Sequence, residues 1–195
     1  MTTEKLKATD TVSSGLTCNP KAGEDAQATG VYHVKCHDKD GNLKWAAESK
    51  NLVVSVGLQY MAGTSLDGAT ARITTWYLGL ITGPGSGTTI IAANTMSSHA
   101  GWTEYVNYSN ANRVTAVFAT ATTATPSVVT NTASPAVFNI NGAGGTVAGA
   151  FLTSANDKTG TTGTLFSAAD FGSPNDRAVV SGDTLSVTYT FSLTV

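Results

Sequence analysis

The sequence predicts an all-β fold: an antiparallel β-sandwich of the jelly-roll kind, preceded by an extended N-terminal arm, with an immunoglobulin-like sandwich as the alternative. Three observations carry this expectation. About eight short segments rich in β-branched and aromatic residues recur at intervals of roughly ten to twenty residues. The 20 Gly and 5 Pro, with Asn and Asp, punctuate those segments as turns. The final segment alternates strictly, placing Leu185, Val187, Tyr189, Phe191, Leu193 and Val195 on one face and Thr or Ser on the other.

Taken in chain order, residues 1–28 read as an extended arm. They are rich in Thr, Ala, Ser and Lys, and Leu6, Val12 and Leu16 are among their few large apolar side chains. Such a segment buries too little to order itself and would order by lying on something else. Residues 29–195 form the expected β-sandwich domain. Val31, Val34 and Cys36 open it in a polar-interleaved run, DKDGN at 38–42 reads as a turn, and LKWA at 43–46 returns as the second arm of a hairpin. Residues 51–62 read as a short strand running into a helical turn, with Leu52, Val56 and Tyr60 at helical spacing.

RITTWYLGLIT at 72–82 carries apolar groups at both parities, the pattern of a strand buried on both faces. GPGSG at 83–87 terminates it, because Pro lacks the ladder donor. A strand is expected over 113–121, a loop or edge strand within 120–134, and a hairpin of 136–140 with 146–153 around NGAGG. A short strand follows at 164–166, and SGD at 181–183 turns the chain into the final strand.

Composition excludes several functions. Charged residues make up only 12% of the chain, hydrophobics 41%, and the formal net charge is −2. Nucleic-acid binding needs a basic excess to neutralise phosphates, and none exists. No run of eighteen apolar residues is present to span a membrane as a helix. Of the 11 Lys+Arg and 13 Asp+Glu, seven of each fall within residues 1–51, so the remaining surface is kept wet by hydroxyls and amides. The N-terminus has no apolar run after its basic residues, hence no secretory signal is expected. Two cysteines, Cys18 and Cys36, cannot build a disulfide framework and suit reduced thiols in a protein made in a cytoplasm.

Chemistry-bearing clusters are weak. Cys18, His33, Cys36 and His37 are of zinc-ligand type, but no CxxC is present and His33 and Cys36 fall on opposite faces of a strand. Ser97, Ser98, His99 and Glu104 hold the residue types of a triad without a GxSxG elbow. Glu48, Asp67, Glu104, Asp170 and Asp183 are not spaced as a glycosidase pair, and several sit in turn contexts. No catalytic, cofactor or metal site is therefore expected. The segment 95–108 differs, because Met96, Trp102, Tyr105 and Tyr108 concentrate large, low-entropy side chains in a polar setting. They are contact candidates, with plugging one end of the sandwich as the alternative. Leu6, Val12 and Leu16 are the contact candidates of the arm.

The strings YHVKCHDKDGNLKWAAESKNLVVSVGLQYM (32–61), WYLGLI (76–81) and TMSSHAGWTEYVNYSNANR (95–113) resemble small virion proteins of tailed bacteriophages, the capsid decoration (cement) and related head-associated proteins. The resemblance implies a non-enzymatic β-sandwich, often a jelly roll, that assembles as a dimer or trimer on the outer capsid surface. Its partner would be the major capsid protein, and its location the virion after synthesis in a bacterial cytoplasm. It implies no catalytic residue and no cofactor. The alternative is a tail, neck or head-fibre module that recognises a host-surface glycan or receptor.

Overall fold

The computed structural model describes residues 26–82, 88–172 and 176–194. Leu6, Val12, Leu16 and Cys18, and the arm up to residue 25, lie outside the described residues. Gln27 and Ala28, expected at the end of the arm, already belong to the first strand.

Among the described residues, thirteen strands and one α-helix follow in order. They are β1 (Gln27–His37), β2 (Leu43–Lys50), β3 (Leu52–Val53), α1 (Ser55–Ala62) with a π-helical turn (Gly63–Asp67), and β4 (Trp76–Thr82). Next come β5 (Thr103–Tyr105), β6 (Val114–Ala116), β7 (Ser127–Thr130), β8 (Ala136–Asn139) and β9 (Gly145–Val147). The chain ends with β10 (Gly149–Thr153), β11 (Leu165–Asp170), β12 (Arg177–Val179) and β13 (Thr184–Thr194).

Two antiparallel sheets make the sandwich. The first runs β2-β1-β13-β7, with β8 also on β13; the second runs β3-β11-β10-β4-β5, with β6 also on β4. A separate ribbon pairs β12 with β9. These pairings make an all-β antiparallel sandwich. The β1–β2 hairpin forms as expected, with Asp38 closing the turn by accepting the N–H groups of Asp40 and Asn42 at 2.9 Å each. Gly41 has φ of 86°, the left-handed geometry such a turn needs.

The inner core forms between the sheets. Tyr32, Val34 and Cys36 of β1 and Leu185, Val187 and Tyr189 of β13 meet Leu78 and Leu80 of β4 and Ala150 and Leu152 of β10. A polar tie crosses this core: Ser167 Oγ on β11 lies 2.8 Å from the Tyr32 hydroxyl and donates to the Tyr189 hydroxyl at 3.3 Å, to which Asn51 Nδ2 also donates at 2.8 Å. A second core covers the other face of the β4 sheet, where Ile81, Phe151, Leu165 and Ala168 meet Val54, Met96 and Trp102. β4 is thus buried on both faces, as its two-parity apolar pattern predicts.

Three expectations are corrected. Residues 136–140 and 146–153 are not a hairpin, because β8 pairs with β13 in one sheet whereas β10 pairs with β4 and β11 in the other. The glycine-rich turn between them carries the chain from one sheet to the other. The strand expected over 113–121 forms only over Val114–Ala116, against Trp76–Leu78, and Ala119 beyond it bonds instead to Thr130 of β7. The strand expected over 164–166 extends to Asp170, paired with β10.

β7 and β8 share one side of β13, and Asn131 fills the gap between them. Its Oδ1 accepts the Tyr189 N–H at 2.6 Å and its Nδ2 donates to the Val187 carbonyl at 3.3 Å, so a side chain replaces the missing ladder bonds.

Candidate functional site

The four contact candidates of the described chain are all interior, each 2–3% exposed: Met96, Trp102, Tyr105 and Tyr108. Trp102 donates from Nε1 to Asn94 Oδ1 at 3.2 Å, stacks on His99 with ring centroids 3.9 Å apart, and leans on Phe151. Tyr108 meets Phe138 edge-on, and Lys158 Nζ sits 3.8 Å over the Tyr108 ring. Their surface role is therefore corrected. Met96 and Trp102 lie across the outer face of the second sheet, whereas Tyr105 and Tyr108 join the core between the sheets, and burying that area outweighs leaving it in water.

The triad-like residues are separated in the same way. His99 Nδ1 engages the Trp102 carbonyl at 3.0 Å, while Glu104 is committed to Arg113. Arg113 Nε and Nη2 donate to the two Glu104 carboxylate oxygens at 2.9 and 2.8 Å. Its Nη1 and Nη2 also donate to the carbonyls of Ala155 and Gly160, and Glu104 accepts the Thr159 N–H at 2.7 Å. A buried pair in which every side-chain nitrogen and oxygen has a partner thus anchors the 154–160 loop. Sequence reasoning missed it. The available clue was two opposite charges nine positions apart in a region almost free of charge.

The zinc-type residues also part. Cys36 is buried, and burial pushes its thiol from 9.0 up to about 11, with Asp183 adding to the effect. His33 lies outside, with Nδ1 3.3 Å from Glu48. Among the described residues no three His, Cys, Asp or Glu side chains gather. Asp183 is no ordinary turn acid: it is 2% exposed, paired to Lys44, and accepts the Val180 N–H at 2.9 Å. That pairing raises the Lys44 ammonium.

The concave feature that remains is at the open end of the sandwich. On β13, Leu185, Val187 and Tyr189 are sealed, but Phe191 is only part-buried and Leu193 is 42% exposed. There α1 and the π-helical turn, rather than a strand, stand opposite. A groove of about 270 Å³ results, walled by Tyr60, Trp76, Phe118 and Phe191 and floored by Leu152. Edge-on ring contacts hold the walls: Tyr60 to Trp76 at 5.3 Å, Trp76 to Phe166 at 5.4 Å, and Phe166 to Phe191 at 5.4 Å. The Ile73 N–H donates to the Tyr60 hydroxyl at 2.8 Å, which fixes that wall. Met61, Thr64 and Ser65 form its helical side, and no lining residue is charged.

The chemistry of this groove is burial of apolar groups, because its walls offer rings and methyls with a few hydroxyls at the helical side. A second cavity, of about 590 Å³, continues past Trp76 and Phe118 to Arg72 and Val129. The outer face of the other sheet carries a pocket of about 380 Å³, where Ser186, Thr188 and Thr190 stand beside His33 and Lys35.

Comparison with known proteins gives no matching family model, no matching curated protein and no matching solved structure.

Proposed function

We propose that this chain is a non-enzymatic structural protein of a tailed-phage virion. In this reading it binds the outer surface of the capsid, with the major capsid protein as partner, and stabilises the shell as a homo-oligomer. The finer jelly-roll assignment belongs to the same reading. The observation that carries it is the aromatic, uncharged groove at one end of a sandwich whose sheets are tied through their core. Such a site suits holding a protein surface, since docking rests on preformed apolar anchors with a polar surround. The resemblance of 32–61, 76–81 and 95–113 to head-decoration proteins supplies the kind of surface.

The test is co-sedimentation of the purified protein with capsids that lack it, followed by electron microscopy. Saturable binding at repeated lattice positions and a higher disruption temperature are expected. Capsids that neither retain the protein nor gain stability would overturn the reading.

The alternative, recognition of a host-surface glycan, has one favouring observation. The Ser186, Thr188 and Thr190 hydroxyls beside His33 and Lys35 form a hydrogen-bonding pocket suited to a sugar. A glycan array separates the readings, and selective hits lost in a Thr188→Val variant would favour this one.

A further inference from the structure

We infer that the open end is a self-complementary interface, in which Leu66 of each copy seats in the groove of a second copy across a two-fold axis. The occupant is thus a second copy of this chain. The inference rests on the homo-oligomeric part of the proposed function and assigns the groove to a second copy rather than to the capsid protein.

Leu66 is 89% exposed, the most exposed large hydrophobic side chain among the described residues. It sits on the π-helical turn whose Thr64 and Ser65 form part of the groove wall, so knob and hole lie side by side on one patch. That adjacency is what an isologous contact requires: a two-fold axis beside the patch brings each knob onto the other hole. The apolar surround continues the patch. Leu58, one helical turn before Met61, is 48% exposed, and Leu193 on the rim is 42% exposed.

The knob is also preorganised. The Asp67 carboxylate accepts the N–H of Ala69 at 2.8 Å, the N–H of Thr70 at 2.9 Å and the Thr70 hydroxyl at 2.9 Å. Gly68, at φ 64°, ends the turn in the left-handed geometry that glycine allows. A leucine presented on a fixed turn loses little entropy on docking.

Charge permits the approach. The groove is uncharged, so two copies meet no repulsion at its centre. Asp67 adjoins the knob and Arg72 lines the continuation of the groove, so each copy carries charge of both signs at the rim.

The test is sedimentation velocity of the full chain over a concentration series, beside Leu66→Asp, with a photo-cross-linking amino acid at position 66 in a separate sample. A reversible dimer is expected for the native chain. Leu66→Asp should weaken it at least about 100-fold, since two buried leucines are lost per dimer. Position 66 is exposed, so the variant's circular dichroism should match the native chain, and its melting should match once both are dilute enough to be monomeric; Leu66→Ser gives the same reading with no new charge. Cross-links from position 66 should join two chains and map to peptides containing Trp76, Phe118 or Phe191. A native chain monomeric at about 100 μM, or a Leu66→Asp variant that dimerises as the native chain does, would overturn the inference. So would cross-links that map to residues 1–25, which would make the N-terminal segment the occupant. Capsid binding by monomeric Leu66→Asp is a separate measurement, and its outcome bears on the capsid reading alone.

Discussion

Arg113 and Glu104 meet in a two-pronged ion pair of 2.9 and 2.8 Å in which the guanidinium side chain is fully buried and the carboxylate 5% exposed. Both strands that share one edge of β4 meet at this pair: β5 carries Glu104 at its centre, and β6 begins just after Arg113. The loop 154–160 hangs from it through Ala155, Thr159 and Gly160.

Removing one partner should cost more than removing both. Glu104→Gln or Arg113→Met leaves a desolvated group unpaired, an expected loss of about 3–5 kcal/mol. The double variant should cost less than the sum of the two single variants. Urea denaturation of the four proteins forms the cycle, and strict additivity would count against coupling.

Gly79 lies in β4 where any Cβ would enter the Phe151 ring. Gly79→Ala should therefore destabilise the chain by about 1–3 kcal/mol through overpacking. A second change, Phe151→Leu, should make the alanine better tolerated than it is alone. Thermal melts of the single and double variants decide the point.

Alkaline conditions should unfold the chain. Burial raises the Cys36 thiol from 9.0 to about 11 and, with Asp183 adding to it, the Tyr105 phenol from 10.0 to about 12. Burial pushes Tyr32, Tyr108 and Tyr189 upward as well. The folded chain then holds protons that the unfolded chain has released, so this stability is complete below about pH 9 and falls as pH climbs from 9 to 12. Urea midpoints should stay level up to that point and drop beyond it, while a midpoint unchanged at pH 11 would refute the account.

Deleting residues 1–25 leaves every described strand intact, because β1 begins at Gln27 opposite Thr194. The shortened chain should keep the native circular dichroism spectrum. If the N-terminal segment supplies contact through Leu6, Val12 and Leu16, capsid binding should fall, and undiminished binding would exclude those residues.

Period and punctuation alone determined the all-β class, the β1–β2 hairpin, the two-sided burial of β4 and the strand-to-helix passage at 51–62. Each depends on local alternation or on turn chemistry within a few residues, which is why the sequence exposes it. Tertiary structure decided the rest. Val187 and Leu193 have the same parity on β13, yet one is sealed and the other 42% exposed, because the second sheet ends before the strand does. Trp102 and Tyr108 look like contact residues in a polar segment and became core, Trp102 by closing over the outer face of the β4 sheet and Tyr108 by packing between the sheets against Phe138. Glu104 with Arg113 became a pair only when β5 and β6 lined up along β4, and Lys44 with Asp183 only when β2 and β13 were both laid against β1. The groove has the same origin: Tyr60, Trp76, Phe118 and Phe191 lie far apart along the chain, and only the packing of two sheets of unequal reach brings them to one opening.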